Sequence, residues 1–291
     1  MIKSKLLTVT GEGGSKYIGE RLFDEPVEDA TFMVPLGIRR IHFCAIGAGA
    51  ISGGESGQSQ KSGGGGGGLV WANNINVEPG ERLSVRVGYS GQRGHTGRSG
   101  IRRPVLDEDG DQELHPDTGE PVWEWIAWAY GGSSNSQGGD FGVSDPDNLD
   151  HGGGKGGDGQ FGPGGSNFAQ VGAGGGAAGY TGNGGDGGRA PDPDSGGASG
   201  GRNPTEYYIG LNKGYDGGGV GVKGKGATAT LPPEPSGTNG YNGNPGSGGV
   251  GNKFGGGGGG PSQGNAGHGA ARIIWGIKFN YPDNADIEAV E

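Results

Sequence analysis

The residues with the clearest potential for chemistry are the acidic ones in the segment DEDGDQE, at 107–113. Carboxylates occupy alternate positions in it: Asp107, Asp109, Asp111 and Glu113. The spacing superficially resembles a Ca²⁺ loop, but an EF-hand loop needs glycine at its sixth position and a distal Glu, and Gln112 stands at position six. The pattern therefore favours a solvated Asp-Gly hairpin turn and leaves calcium binding open.

Histidine and cysteine form no pattern typical of a metal site or a nucleophilic triad. The histidines are scattered without paired spacing: His42, His95, His115, His151 and His268. Cys44 is the single cysteine, which excludes an intrachain disulfide and a cysteine-based zinc site, and we expect it to be a buried, unreactive thiol. Since no glycine motif follows a strand and opens a helix, phosphate-binding loops are also rejected. We predict no enzyme activity and no cofactor, and we nominate no catalytic or metal-binding residue.

Aromatic residues are concentrated in WEWIAWAY, at 123–130. In a regular strand Trp123 and Trp125 share one face, whereas Trp128 lies on the other with Ile126. Aromatic residues on both faces suit a strand buried in a sandwich or at a subunit interface, and a carbohydrate-binding platform is the alternative. Trp123 and Trp125 are therefore candidates for contact with a receptor.

Three further segments are rich in Pro, Asp, Asn and Tyr: 141–151, 189–210 and 231–237. We expect them to be loops at the tips of a rigid scaffold, where recognition can vary without disturbing the fold. Tyr207 and Tyr208 are the best single candidates for receptor contact, and plain solvated turns are the alternative.

The elements that must position these residues are unusual, because glycine supplies 77 of 291 residues and proline 17. Such a composition ordinarily signals disorder, unless the glycines have a period and the apolar residues are clustered. Both conditions hold, since four separate runs carry glycine at every third position. The glycines of these runs are Gly88, Gly91, Gly94, Gly97 and Gly100; Gly153, Gly156, Gly159, Gly162 and Gly165; Gly176, Gly179, Gly182, Gly185 and Gly188; and Gly237, Gly240, Gly243, Gly246 and Gly249.

A period of three is typical of the extended polyproline-II type of helix, which makes no internal hydrogen bonds. Such a helix must find partners for its backbone elsewhere, and glycine lets a neighbouring backbone approach closely enough to supply them. We therefore predict an intrachain bundle of polyglycine-II helices joined by lateral N–H···O=C bonds. Flexible linkers are the alternative.

The apolar residues predict short strands, mainly within 38–130 and 270–279. We expect an all-β fold, a β-sandwich or jelly-roll-like unit combined with the polyglycine-II bundle, and essentially no α-helix. Residues 1–30 are predicted to be an N-terminal arm or anchor, 31–280 a single domain with glycine runs mainly at 88–100 and 152–269, and 281–291 an acidic tail.

The net charge of −10 is dispersed along the chain, which argues against nucleic acid as a partner. The sequence has no apolar run of about 18 residues and its first residues lack the features of a secretory signal. We therefore expect a soluble, unprocessed protein.

Three segments carry a resemblance to a known family: IHFCAIGAGA, GGGGGGLVWANNINVEPGERLSVRVG and GHGAARIIWG, within about 38–100 and 250–279. Together they resemble the glycine-rich domain of virion proteins from tailed, marine or cyanobacterial-type bacteriophages, and the chain is also similar to polyglycine-II tail-fibre adhesins. The resemblance implies a non-enzymatic structural protein on the phage particle, at a tail fibre or tail tip and involved in host attachment. Capsid decoration or a head fibre is the alternative, and ice binding a remote one.

The same resemblance implies the partners of the chain. They are other virion proteins, further copies of the chain in a homo-oligomer, and a host surface glycan or outer-membrane protein.

Overall fold

The computed structural model describes residues 3–11, 14–51, 60–90, 97–160, 170–187, 192–193, 197, 217–225, 228, 254–257, 266–276 and 279–285. Within these ranges the chain forms thirteen β-strands and no α-helix. The strands are β1 (Lys3–Gly11), β2 (Gly14–Phe23), β3 (Val27–Met33), β4 (Arg40–Ile46), β5 (Gln60–Lys61), β6 (Leu69–Asn76), β7 (Arg82–Val87), β8 (Ser99–Pro104), β9 (Trp123–Ala129), β10 (Phe141–Val143), β11 (Asp150–Gly154), β12 (Gln170–Val171) and β13 (Ala270–Trp275). The prediction of an all-β chain is confirmed.

Two antiparallel sheets pack face to face as a sandwich. The large sheet has six strands in the order β1-β2-β13-β4-β6-β11, and the small sheet has five in the order β10-β9-β8-β7-β3. A separate parallel pair joins β5 and β12. Although β13 is the last strand in sequence, it lies between β2 and β4, so the end of the chain closes the large sheet.

The core between the sheets follows from the alternation of side chains along the strands. In β7, Leu83, Val85 and Val87 all face inward and are buried, as the sequence predicts, and Arg82 and Arg86 face outward. Phe43 of β4 and Ile273 of β13 are among the fully buried residues that oppose them from the large sheet.

The large sheet is also buried on its other face. There Ile46, Trp71 and Ile274 pack in a second apolar cluster with Tyr180 and Tyr281 from segments outside the sheet. Because both faces are covered, β13 is buried at all six of its positions, and it reads without alternation as an apolar run interrupted by one charged residue, Arg272.

Glycine-rich segments extend from one end of the sandwich. At this end, which we call the glycine end, β4 stops at Ile46 and β6 starts at its paired partner Leu69. The two segments that continue from these strands remain in contact, since Gly47 N donates to Gly68 O at 2.9 Å. The segments 130–140, 155–160 and 266–269 leave or enter neighbouring strands at the same end.

The segment Gly63–Gly68 lies at the centre of these glycine-rich segments, and its lateral hydrogen bonds recur every third residue. Towards one neighbour Gly63 N donates to Gln160 O and Gly66 N to Gly157 O; towards another Gly65 N donates to Ser133 O and Gly68 N to Tyr130 O, all at 2.9–3.0 Å. Gly64 O and Gly67 O accept in turn from Gly175 N and Ala178 N, at 2.9 and 3.0 Å. This period is the one that the glycine spacing predicts for packed segments. The polyglycine-II conformation of the individual segments stays a prediction.

The described glycines of the four predicted runs do not all lie in non-strand segments. Gly100 lies within β8 and Gly153 within β11, so those two runs begin or end in sheet, where ladder hydrogen bonds fix the backbone. Gly88 and Gly97 flank β7 and β8 at the glycine end. Within the non-strand segments lie Gly156, Gly159, Gly176, Gly179, Gly182 and Gly185. Outside the described residues lie Gly91, Gly94, Gly162, Gly165, Gly188, Gly237, Gly240, Gly243, Gly246 and Gly249.

Both chain ends contain residues that contact the large sheet. Within the predicted arm at 1–30, β1 pairs with β2 and β2 pairs with β13, and β3, which begins there, pairs with β7 of the small sheet. In the predicted tail at 281–291, Tyr281 and Ala285 are buried against the large sheet, as is the preceding Phe279. Among the described residues, none forms a helix long and apolar enough to cross a membrane.

Candidate functional site

The outer face of the small sheet carries a row of stacked arginine and aromatic side chains, which we call the ladder. Its members are Arg82, Arg98, Arg102, Trp123, Trp125 and Tyr130. The guanidinium carbon of Arg102 lies 5.4 Å from the Trp123 ring centroid and 5.1 Å from that of Trp125. Arg98 lies in the same way between Trp125, at 5.0 Å, and Tyr130, at 4.4 Å, and Arg82 lies 5.7 Å from Trp123. Cations and ring faces therefore alternate along the ladder.

A β-bulge adds Trp128 to the ladder face. Ile101 pairs with Ala127 and Arg102 with Trp125, so Ile126 is an extra residue in β9. The bulge corrects the prediction of strict alternation: Trp128 lies on the same face as Trp125, with ring centroids 6.3 Å apart, and Ile126 is buried in the core.

Two glycines make room for the indoles. A Cβ atom on Gly100 would stand 2.7 Å from Cζ3 of Trp125, and one on Gly142 would stand 2.6 Å from Cζ2 of Trp128. Gly100 pairs with Trp128 in the β8–β9 register, and Gly142 pairs with it in the β9–β10 register. Glycine is thus required here for the packing of aromatic rings over strands.

Two arginines on this face, Arg86 and Arg102, lie beside carboxylates. Arg102 donates to Ser84 Oγ at 2.9 Å and lies 3.8 Å from Asp29, and Arg86 pairs with Glu28 at 2.9 Å. Burial lowers the pKa of Arg102; Asp29 opposes that shift and the neighbouring cation of Arg86 adds to it.

Burial also lowers the pKa of Arg98, and the charge of Arg86 acts in the same direction. Cations are therefore crowded on this face, although the chain as a whole is acidic.

The geometry bears directly on the two interpretations of the segment 123–130, which are a strand buried in a sandwich or interface and a carbohydrate-binding platform. A sugar-binding platform presents free ring faces, whereas guanidinium groups here cover faces of Trp123 and Trp125. Nε of Arg98 and Nε of Arg102 are buried, and Arg102 donates to the buried Ser84 Oγ, so the stack is packed against the sheet. The arginines were not among the candidate residues predicted from sequence, although their alternation in RLSVRV and in SGIRRP was a visible signal.

The acidic residues at 107–113 form the predicted turn, within a projection that we call the acidic arm, residues 104–122. Oδ1 of Asp107 accepts the backbone N–H groups of Asp109 and Asp111 at 3.0 and 2.9 Å, and Gly110 adopts a φ of +85°. Further backbone bonds, from Glu113 N to Val105 O and from Val122 N to Glu113 O, make the arm a short meander between β8 and β9.

The groups buried against the large sheet have structural partners. His42 Nδ1 lies 3.0 Å from Oδ1 of Asn73, whose amide nitrogen donates to Asp150 at 2.9 Å. Burial lowers the pKa of His42, an effect that the Asn73 hydrogen bond opposes. Cys44 is fully buried as predicted, and burial raises the pKa of its thiol to about 12, with Tyr180 opposing the shift.

Arg272 is the one charged residue in β13, and it is buried. Its guanidinium contacts Glu20 at 2.6–2.7 Å and donates to the carbonyl oxygens of Val222, at 3.3 Å, and Ala285, at 2.7 Å. The two hydrogen bonds to carbonyl oxygens attach the segments around 222 and 285 to the large sheet, a role that a lone arginine in AARIIW does not reveal by itself.

The remaining sequence candidates, other than the segment 141–151, lie wholly or mostly outside the described residues. Tyr207 and Tyr208 lie outside the described residues, as does the segment 231–237, and of 189–210 only 192–193 and 197 are described. Among the described residues no three His, Cys, Asp or Glu side chains are grouped so that they could hold a metal ion.

Comparison with known proteins identifies a family but no activity. The chain matches the family model described as a glycine-rich domain over residues 25–276. No curated protein and no solved structure matches it significantly. The matched range includes the small sheet, the strands β4, β6, β11 and β13 of the large sheet, and the central segment 63–68. The chain therefore belongs to the glycine-rich domain family.

Proposed function

We propose that this chain is a non-enzymatic structural protein of a bacteriophage particle, located at a tail fibre or tail tip and acting in host attachment. The observation that carries the proposal is where the segments resembling phage virion proteins lie in the fold. IHFCAIGAGA contains most of β4, LVWANNIN is β6 and AARIIW is β13, three adjacent strands of the large sheet. The resemblance thus rests on the central strands of the sandwich as well as on glycine richness.

The scaffold suits a role in which a stiff support carries variable loops. At the glycine end, the chain passes from paired strands directly into segments held by lateral hydrogen bonds, without an intervening linker between Ile46 and Gly47. Recognition can then vary at loops without disturbing the scaffold. We propose Tyr207 and Tyr208 as receptor contacts, with a host surface glycan or outer-membrane protein as the receptor.

The hydrogen bonds of two buried polar side chains, Asn73 and Arg272, support a structural role. Asn73 Oδ1 accepts from Tyr281 N at 2.9 Å and its amide nitrogen donates to Tyr281 O at 2.7 Å. This side chain therefore binds the backbone of Tyr281 as a neighbouring strand would. Arg272 likewise binds two carbonyl oxygens. These side chains hold segments of the chain together, which is what a scaffold requires.

Immunogold electron microscopy on the parent virion, with antibody raised against the purified chain, tests the proposal. Gold at a fibre or tail tip supports it and directs mutagenesis to residues 189–210 and 231–237. Gold over the head would replace it with capsid decoration or a head fibre. Absence of gold from every particle, with the antibody active on purified protein, would contradict a virion role altogether.

A further inference from the structure

We infer that Asn183 and Asp186 are positioning residues, which hold two glycine-rich segments together by supplying side-chain oxygens in place of backbone carbonyls. The segments are 155–160 and 182–187, and they lie side by side. The inference goes beyond the proposed place of the chain in a virion and does not depend on it. It rests on where each N–H group of the first segment finds its acceptor.

The six N–H groups of the segment 155–160 donate in three directions, which alternate along the chain. Two directions end on backbone carbonyl oxygens at 2.6–2.9 Å: Gly156 N donates to Gly139 O and Gly159 N to Ser136 O, while Gly157 N donates to Gly176 O and Gln160 N to Ala173 O. The third direction, at Lys155 and Asp158, faces the segment 182–187. The backbone of this segment alone does not satisfy it.

The third direction ends on side chains. Lys155 N donates to Asn183 Oδ1 and Gly184 N donates to Lys155 O, both at 2.9 Å. Asp158 and the pair Asp186-Gly187 repeat this arrangement, with both bonds at 2.8 Å. Each Asn-Gly or Asp-Gly dipeptide therefore binds both the N–H and the C=O of one residue in the neighbouring segment, and we call this arrangement the clamp.

The glycine of each clamp is required by a third segment on its other side. A Cβ atom on Gly184 would stand 2.3 Å from Gly176 O, and one on Gly187 would stand 2.7 Å from Ala173 O. The preceding residue of each clamp is exposed or half-buried and has room for a side chain. An acceptor on the outer side followed by glycine on the inner side is thus what each clamp needs.

The same use of side-chain oxygens continues in both directions from the clamps. Asp158 Oδ1 accepts from Gly138 N at 2.8 Å. Asp192 Oδ2 accepts from Asn183 N at 2.9 Å, and Asp192 N donates to Asn183 O at 3.1 Å. Asp and Asn side chains therefore connect four successive stretches of the chain.

The clamps need an oxygen at a fixed reach and do not need a charge. Asn183 carries an amide and Asp186 a carboxyl group, yet their Oδ1 atoms accept N–H groups that are three residues apart, at nearly the same distance. Both side chains offer an acceptor oxygen on Cγ, which alanine lacks. Exchange of Asn for Asp should therefore be tolerated, whereas alanine leaves a backbone N–H group without its acceptor.

The test is amide hydrogen exchange resolved by residue, measured by NMR on the full-length chain with two double variants. Asn183→Ala with Asp186→Ala removes both acceptor oxygens. The swapped variant, Asn183→Asp with Asp186→Asn, keeps the oxygens and interchanges the two groups. Asn135→Ala with Asp147→Ala is the matched control, because both positions are exposed and lie outside the clamps.

The alanine variant should exchange the N–H groups of Lys155 and Asp158 about tenfold faster or more, since each loses its acceptor. Gly157 and Gln160 should change much less, because they donate to backbone carbonyl oxygens of another segment. The swapped variant and the control should match the wild type.

Single variants extend the test to the case in which the double alanine variant does not fold. Asn183→Ala should accelerate exchange at Lys155 alone, and Asp186→Ala at Asp158 alone, because each clamp binds one residue. A single variant that accelerates both N–H groups equally would contradict separate clamps.

Three further results would overturn the inference. One is unchanged exchange at Lys155 and Asp158 in the alanine variants. Another is equal acceleration at all six N–H groups of the segment 155–160, as expected if the side chains contribute only to general stability. The third is a swapped variant that loses protection as the alanine variant does, which would make charge the determinant.

Discussion

The guanidinium carbon of Arg102 lies 5.1 Å from the ring centroid of Trp125. This contact links β8 to β9 on the outer face of the small sheet, directly beside the bulge at Ile126. A cation held over an indole in a half-buried setting stabilises the fold by about 0.5–2 kcal/mol. The pair therefore links the stability of the small sheet to the packing of its outer face.

Replacement of Arg102 by lysine should lower the free energy of unfolding by about 1–2 kcal/mol, because an ammonium group cannot stack between two indoles as a planar guanidinium does. Equilibrium unfolding in urea measures the change. Arg39→Lys is the matched control, since Arg39 forms only an exposed ion pair with Glu78. Equal stabilities of the two variants would contradict a structural role for the stack.

A methyl group at Gly66 should prevent folding or cost more than about 4 kcal/mol, since its Cβ would collide with the backbone carbonyl of Gly176. Gly37 has a φ of +84° and open space around the Cβ position, so Gly37→Asn should cost little. Thermal unfolding compares the two variants. A Gly66→Ala protein as stable as wild type would show that the lateral contacts of Gly63–Gly68 are not close-packed.

Cys44 should resist alkylation in the native protein at pH 8 and react on unfolding. Burial raises the pKa of the thiol from 9.0 to about 12. Because the folded pKa is the higher one, the stability linked to this group is complete below pH 9 and declines as the pH rises towards 12. Labelling rates with a thiol reagent, with and without denaturant, give the comparison; rapid labelling of folded protein would contradict the burial.

Calcium should leave the melting temperature unchanged. Oδ1 of Asp107 already accepts the backbone N–H groups of Asp109 and Asp111, so the turn is formed without a metal ion. Scanning calorimetry in calcium and in chelator measures the difference, with sodium chloride at matched ionic strength as the control. A rise of several degrees specific to calcium would show that the arm binds it.

Much of the sandwich follows from the sequence because the strand signals are local. The buried face of β7, with Leu83, Val85 and Val87, is predicted correctly from simple alternation. Alternation fails in β9, where one extra residue at Ile126 places Trp128 on the same face as Trp125. A bulge depends on pairing with a neighbouring strand, and the sequence of β9 alone does not contain that information.

The ladder and the chain ends could not be predicted for a related reason. Arg98 and Arg102 meet Trp125 only through the β8–β9 register, across the 19 residues of the acidic arm at 104–122. The pairing of β2 with β13 could not be predicted either, because the two strands lie near opposite ends of the chain. Contacts over such separations are set by topology rather than by local pattern.

The period of three in glycine predicted the spacing of the lateral hydrogen bonds, but not which glycines take part. The central segment Gly63–Gly68 is an unbroken glycine tract, in which a period of three cannot be seen. Conversely Gly100 and Gly153 stand in phase with their runs and yet belong to strands. Both outcomes follow from neighbouring segments, since an extended glycine backbone takes its partners from whatever packs beside it.

The central claim is that glycine-rich segments at the end of the sandwich are ordered by lateral hydrogen bonds, and amide hydrogen exchange tests it most directly. Peptides covering residues 62–68, 155–160 and 172–178 should exchange about as slowly as those of β4 and β6, because most of their N–H groups donate hydrogen bonds. The strands serve as the reference within the same sample. Exchange of these glycine segments at the rate of an unstructured peptide, while β4 and β6 stay protected, would contradict the account.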